Sequence, residues 1–343
     1  MSNPQTSNIK KGILLVNLGS PKSTSVKDVT EYLDEFLMDE RVIDIRWLFR
    51  SLLVQGIILK TRPKKSAEAY KTVWTDQGSP LIVISEQIQK KLQQVVDVPV
   101  ALGMRYAQPS IEKGIQDLVD QGVNEIILFP LYPQYAMSTT ETVSVKAEEV
   151  RKKKFPAVKI KYVKPFYNRD IYINALADSI RKQLPEKFDK LQFSYHGVPE
   201  RHIYKTDPTK TCNLENCRTE GPHHFNEYCY LNHCYETTRL VREKLGLAED
   251  KVILTFQSRL GKDPWIQPYT DATLESLPKQ GVKDLAVVCP AFVSDCLETL
   301  EEISEEGKEI FEHAGGKSFF YIPCLNDNDE WIQVMKKLCE ELY

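Results

Sequence analysis

Three short apolar runs, Ile13-Leu14-Leu15-Val16, Ile126-Ile127-Leu128-Phe129 and Leu285-Ala286-Val287-Val288, constrain the fold more than any other feature of this chain. Each is unbroken by polar alternation and bounded by Gly, Pro, Asn or Asp. Runs of this length and continuity suit strands covered on both faces, as in a parallel sheet. Amphipathic stretches of helical length, such as 111–121 and 170–183, lie among them. Strands alternating with helices imply right-handed βαβ units, hence an α/β fold of parallel sheets flanked by helices.

The chain also echoes itself. Gly122-Val123-Asn124-Glu125-Ile126 followed by Pro130-Leu131-Tyr132 matches Gly281-Val282-Lys283-Asp284-Leu285 followed by Pro290-Ala291-Phe292, 159 residues on (281 − 122) with a one-residue slip at the prolines. Leu18-Gly19-Ser20-Pro21 likewise echoes His196-Gly197-Val198-Pro199, each just after a strand-like run. Two similar Rossmann-like halves are therefore expected. The N-terminal half spans 11–165 and includes an apolar segment, 36–59. The C-terminal half spans 166–343, with a cysteine-rich insertion at 205–236 and a last helix that packs back. The boundary falls near 165–188, and ligands are expected in the cleft at the carboxyl ends of the strands. Neither half carries G-x-G-x-x-G or G-x-x-x-x-G-K-[ST], so a nucleotide site is unsupported.

Charge excludes other classes. A formal net charge of −3 and a pI near 6.1 give no global reason to expect nucleic acid as a partner. No apolar run approaches the roughly 20 residues of a membrane-spanning helix. The opening MSNPQTSNIK is polar and lacks a signal peptide's apolar core, so a cytoplasmic location is expected.

Three segments carry candidate chemistry. In Phe193-Ser194-Tyr195-His196-Gly197-Val198-Pro199 a histidine ends a strand, where Gly and Pro force a turn and aim it at the cleft. Histidine titrates near neutrality and can take a proton or offer a lone pair to a metal, although a lone histidine is more often structural. After Cys289-Pro290, the run Asp295-Cys296-Leu297-Glu298-Thr299-Leu300-Glu301-Glu302 opens a helix with four carboxylates. Helix-dipole capping accounts for Glu301 and Glu302 better than for Glu298. Gln257-Ser258-Arg259-Leu260-Gly261 precedes Pro264-Trp265-Ile266-Gln267-Pro268-Tyr269-Thr270, where a tryptophan between prolines makes a rigid plate for a flat ligand.

Together, S-Y-H-G-x-P, Q-S-R-x-G with P-W-x-x-P-x-T, and S-D-x-x-E-T-L-E-E-I resemble the signature blocks of the ferrochelatases, in that family's order. Gly78-Ser79-Pro80-Leu81, Met104-Arg105-Tyr106 and Leu131-Tyr132-Pro133-Gln134-Tyr135 extend the resemblance, which runs from about residue 11 to the C-terminus. It implies a chelatase-type fold and an enzyme, a lyase of haem and porphyrin biosynthesis, that inserts Fe²⁺ into protoporphyrin IX or coproporphyrin III with release of two protons. His196 then matches the active-site histidine, a proton acceptor or a ligand to the incoming iron. Glu298 matches the carboxylate on the opposite wall, also able to meet iron, with Asp295 in the polar path leading to it. Leu18, Arg105, Tyr106, Tyr132, Ser258 and Trp265 match residues around the macrocycle, and Arg62, Lys65 and Ser79 match positions near its propionates. Cys296 stands where some members have a histidine. The resemblance also makes 36–59 an apolar lip resting on a membrane, giving a peripheral position at its inner face; a buried helical hairpin is the plainer reading. A monomer or a homodimer is expected.

Eight cysteines are many for a reducing compartment. Cys289, Cys296, Cys324 and Cys339 are scattered, as small buried hydrophobes would be. Cys212, Cys217, Cys229 and Cys234 form C-x4-C-x11-C-x4-C in a polar stretch that cannot build its own core, the pattern of four thiolates on one metal centre. Spacing leaves a Cys₄ zinc and a [2Fe–2S] cluster both open, and His223, His224 or His233 could replace one ligand. The resemblance implies [2Fe–2S], since some bacterial ferrochelatases carry such a cluster on an internal segment after S-Y-H-G. The animal pattern is absent: Met137 stands at its cysteine in the Y-P-Q-Y block.

Overall fold

The computed structural model describes residues 9–220, 227–261 and 263–343, apart from the side chains of 218–220. Among the described residues the apolar runs become the central strands of two four-stranded parallel sheets. The first contains β1 (Lys11–Asn17), β2 (Val100–Met104), β3 (Glu125–Pro130) and β4 (Lys159–Tyr162) in the order β2-β1-β3-β4. The second contains β5 (Lys190–His196), β6 (Val252–Gln257), β7 (Asp284–Val288) and β8 (Ser318–Ile322) in the order β6-β5-β7-β8. The orders are the same, so β1 corresponds to β5 and β3 to β7, as the sequence echoes require.

Helices cover both faces. The first half contributes α1 (Val26–Leu37), α2 (Trp47–Leu53), α3 (Leu59–Val73), α4 (Pro80–Val95), α5 (Ile111–Asp120) and α6 (Thr142–Lys154). The second contributes α7 (Asp170–Gln183), α8 (Glu200–Thr206), α9 (Leu214–Glu220), α10 (Tyr230–Leu245), α11 (Thr270–Ser276), α12 (Leu297–Thr299), α13 (Lys308–His313) and α14 (Asp329–Glu340). Strand side chains alternate between faces. Ile13 and Leu15 therefore enter one core with Ile88 and Leu92 of α4, while Leu14 and Val16 enter another with Ile115 and Leu118 of α5.

The first of these cores crosses between the halves, joining Ile13 and Phe129 to Phe193, Tyr195 and Trp331. Trp331 of α14 is fully buried, its ring 6.3 Å from Phe129 and 5.5 Å from Phe166. The last helix thus returns to the first half, where Lys91 of α4 meets Asp329 at 3.0 Å. A shared core of this kind fixes the two sheets relative to each other, each large buried side chain contributing roughly 1.5–3 kcal/mol.

Two segments differ from their plainest sequence readings. Residues 36–59 do not form a buried hairpin: α2 continues through a π-helical turn (Val54–Ile58) into α3. Leu37, Ile43 and Val54 fill a separate small core with Val29, Tyr70 and Tyr106, whereas Trp47, Leu48, Phe49, Leu52 and Ile57 are each more than half exposed. Nor is the cysteine segment a polar loop set apart. Cys217, Cys229 and Cys234 are buried in the main core beside Leu214, Tyr230 and Leu231, and Cys212 packs against them. No helix among the described residues is long and apolar enough to cross a membrane.

Candidate active site

His196 is the last residue of β5 and stands half-buried at the carboxyl end of that strand. The next peptide turns sharply, with the Gly197 N–H donating to the Gln257 carbonyl at 2.7 Å. A Cβ at Gly197 would lie 2.8 Å from that oxygen and 3.2 Å from Cε3 of Trp265, so only glycine fits. Nδ1 of His196 is 2.6 Å from the Gly197 carbonyl oxygen. A carbonyl can only accept, so Nδ1 carries the proton and the Nε2 lone pair is left over. Burial lowers the pKa of this imidazole, the Glu298 carboxylate partly offsets that, and Arg62 adds to the lowering.

Glu298 lies in α12, which leads into a π-helical segment (Leu300–Gly307). Asp295 shapes the turn before it. Its carboxylate accepts from Tyr321 Oη (2.5 Å), Thr299 Oγ1 (3.0 Å) and Asn326 Nδ2 (2.7 Å). Asp295, expected in the polar path leading to Glu298, is enclosed within the second half and only 5% exposed. The buried Cys296 thiol bonds to the Glu298 side chain; burial first, then Glu298, pushes its pKa well up, so it stays protonated.

The first half supplies the facing wall. Tyr32, Tyr70 and Tyr132 are buried and each feels the Glu298 charge. Among the described residues the Tyr132 hydroxyl finds no hydrogen-bond partner. Leu18 is partly buried and its carbonyl accepts the Tyr106 N–H at 2.8 Å. Gly19 turns the chain here at φ +109°, where a Cβ would strike the Tyr106 carbonyl oxygen at 1.9 Å. Arg105 pairs with Asp39 and lies 4.3 Å over the Tyr106 ring, whose hydroxyl also donates to Asp39. Burial alone would raise the Asp39 pKa, but bonds from Thr142, Arg41, Arg105 and Tyr106 outweigh it and bring it below the usual range.

The remaining expected residues lie around this opening. Arg62 and Lys65 are exposed on α3, and Ser79 is buried at the start of α4 without capping it. Ser258, at φ +65°, donates to Glu302. Burial pushes the Glu302 carboxyl up to about 7, above the ordinary range of a carboxylate that caps a helix in solvent. Trp265 is 9% exposed, with Nε1 donating to Leu260 O at 3.0 Å and its backbone bridging Pro199. Sequence reading passed over Asp39, Tyr32, Tyr70 and the side chain of Gln257. Of these, Gln257 alone carried a signal, as the first residue of the Q-S-R block.

The four clustered cysteines are free thiols that converge on one region. Burial, then the charges of Cys229 and Cys217, pushes Cys212 up to about 11; Cys229 and Cys234 are raised by burial too. Among the described residues no group of three or more His, Cys, Asp or Glu is arranged to hold a metal ion. His233 is turned elsewhere: its ring stacks on Tyr167 at 3.7 Å and its Nδ1 accepts the Tyr135 N–H at 3.1 Å. His223 and His224 lie outside the described residues.

Two parallel four-stranded sheets of the same strand order, flanked by helices, are a fold shared with solved chelatases. The solved structure of SirB from Bacillus subtilis with Fe³⁺ is similar at a TM-score of 0.55 and 15% identity, covering 97% of this chain and 95% of that one. The sirohydrochlorin chelatase SirB from Bacillus subtilis subspecies spizizenii, in complex with cobalt, is similar at 0.53 and 12% identity. Residues 10–342 match the family model for ferrochelatase. Ferrochelatases of Pseudomonas syringae pv. tomato and Pseudomonas fluorescens Pf-5 are 46% and 48% identical over 330 residues, 96% of this chain and 97% of each relative. The chain belongs to the ferrochelatase family, and it is an enzyme of haem synthesis with ferrous iron and a porphyrin as substrates.

Proposed function

We propose that His196 and Glu298, on opposite sides of the cleft, carry the insertion of Fe²⁺ into the macrocycle. The observation behind this reading is the Nδ1 contact to Gly197, which leaves a lone pair on Nε2 of an imidazole kept neutral by burial. Such a group takes protons from pyrrole nitrogens at neutral pH. Glu298 meets ferrous iron on the other face, and Asp295, saturated by its three side-chain donors, holds the turn that presents it. Leu18, Arg105, Tyr106, Tyr132, Ser258 and Trp265 frame the macrocycle, while Arg62, Lys65 and Ser79 stand toward its carboxylates. Either protoporphyrin IX or coproporphyrin III fits this reading.

Cys212, Cys217, Cys229 and Cys234 would hold a [2Fe–2S] cluster. They fit it in kind and number: four unpaired thiols feel one another's charge in one apolar region. Such a centre supplies cross-linking and one-electron chemistry to its segment, and because buried thiols must lose protons to bind, its affinity rises with pH. The exposed apolar face of α2 and the following turn, beside Arg46, Lys60 and Lys64, would rest on a membrane surface carrying a greasy substrate.

Anaerobic insertion followed by absorption spectroscopy, run with both porphyrins, tests the pair. His196→Ala should bind porphyrin yet lose about 10²-fold or more in turnover. Turnover above about a tenth of wild type would overturn the assignment, since loss of an essential base costs more than that.

A further inference from the structure

Helix α10 begins at Tyr230, immediately after Cys229, and reaches the end of β5. The Tyr230 hydroxyl donates to the His196 carbonyl at 2.7 Å, and the same hydroxyl bonds to the side chain of Cys234. Two turns along, Thr238 Oγ1 lies 2.9 Å from the hydroxyl of Tyr195. The peptide joining His196 to Gly197 is therefore held at both ends, its carbonyl by Tyr230 and its N–H by Gln257. That peptide decides where the Gly197 carbonyl points, and the Gly197 carbonyl selects the imidazole tautomer.

We propose that Tyr230 is a positioning residue for His196, and that through it the cysteine-bearing helix sets the orientation of the imidazole. Losing the hydroxyl leaves the 196–197 peptide free to rotate, which carries the Gly197 carbonyl away from Nδ1 and lets both the tautomer and the ring angle vary. Tyr230 touches neither substrate nor iron, so its effect falls on turnover and not on porphyrin binding. The other side of α10 is held by the first half, through Tyr135 on His233 and Gln134 Nε2 on Thr237 Oγ1 (3.1 Å). The first two turns of the helix are thus held from both sides. The inference rests on His196 being the proton acceptor, and it does not require the cysteines to carry a cluster.

Tyr230→Phe keeps the ring in its apolar setting and removes only the hydroxyl, with its bonds to the His196 carbonyl and to Cys234. Expected are a kcat lowered about tenfold, a porphyrin KM within about twofold of wild type, and a melting temperature near that of wild type. ¹⁵N NMR of the imidazole should show the Nδ1-protonated signal of the wild type replaced by a mixture of tautomers. Tyr230→Leu, which also removes packing, should lose no more turnover per folded molecule than Tyr230→Phe. Wild-type kcat with an unchanged ¹⁵N spectrum in Tyr230→Phe, alongside an inactive His196→Ala, would overturn this inference alone. An active His196→Ala would overturn the reading of the site on which it depends.

Discussion

Gln257 joins the segments that carry His196 and Glu298: its side-chain Nε2 donates to the Glu298 carbonyl at 2.9 Å. Its Oε1 accepts from Ser194 of β5 at 2.7 Å, and its own carbonyl receives the Gly197 N–H. One buried amide thus ties the strand that ends in His196 to the turn that presents Glu298. Gln257 ends β6, so that strand is tied both to the end of β5 and to the start of α12.

Two glutamates of the same acidic run should behave differently. Glu298→Gln is expected to lower kcat about 10²-fold, because the charge facing His196 is gone. Glu302→Gln should keep wild-type turnover below about pH 7, since burial holds this carboxyl protonated up to about 7 and glutamine copies that form. Its raised folded pKa also means that wild-type stability falls as pH climbs from about 4.5 to 7, because the folded state retains a proton that the unfolded chain has released. Melting temperatures across that window should be flatter in Glu302→Gln, and equal slopes would contradict the assignment.

The apolar lip is tied to α8 by charge. Asp44, its side chain 3% exposed, receives Arg201 at 2.5 Å and Lys205, with His202 Nε2 at 3.4 Å. Arg201 continues to Asp263, beside the Trp265 loop. Burial would raise the Asp44 pKa, but Lys205, Arg201 and His202 bring it down to about 2. Asp44→Asn should cost about 1–3 kcal/mol of stability and raise porphyrin KM more than it lowers kcat. The stabilisation is present above the ordinary carboxylate value of 3.8 and is lost as pH falls toward 2, so wild type and variant should converge in acid.

The exposed lip predicts a surface preference. Wild-type protein should co-sediment with anionic vesicles, and Trp47→Ser with Phe49→Ser should weaken binding at least about tenfold, since each large side chain contributes roughly 1.5–3 kcal/mol when buried. Insertion into detergent-dispersed porphyrin should be unchanged. Equal vesicle binding by both proteins would assign the face another role, and a concentration-dependent mass lost in the variant would mark it as a homodimer contact.

Anaerobic purification should yield roughly two irons and two acid-labile sulfides per chain, both lost in Cys212→Ser. Because Cys217, Cys229 and Cys234 pack in the main core, the variant should stay folded elsewhere, melting only modestly earlier. One zinc per chain without labile sulfide would replace the cluster by a structural zinc.

The amino-acid sequence by itself determined the parallel sheets, their duplication and the placing of His196 at a strand end. Those features rest on unbroken apolar runs and on a Gly-x-Pro turn, which act through neighbours a few residues away. It also contained the family blocks, because the groups that meet the macrocycle sit in short contiguous motifs. Only the tertiary structure decided that Asp295 is enclosed by Tyr321 and Asn326, that Glu302 is half-buried and bonded to Ser258, and that Cys217, Cys229 and Cys234 belong to the main core. It alone turned Trp47 and Phe49 outward and set Tyr230 against His196. Burial, hydrogen-bond partners and proton affinity are sums over atoms close in space, and here those atoms come from segments tens to more than a hundred residues apart.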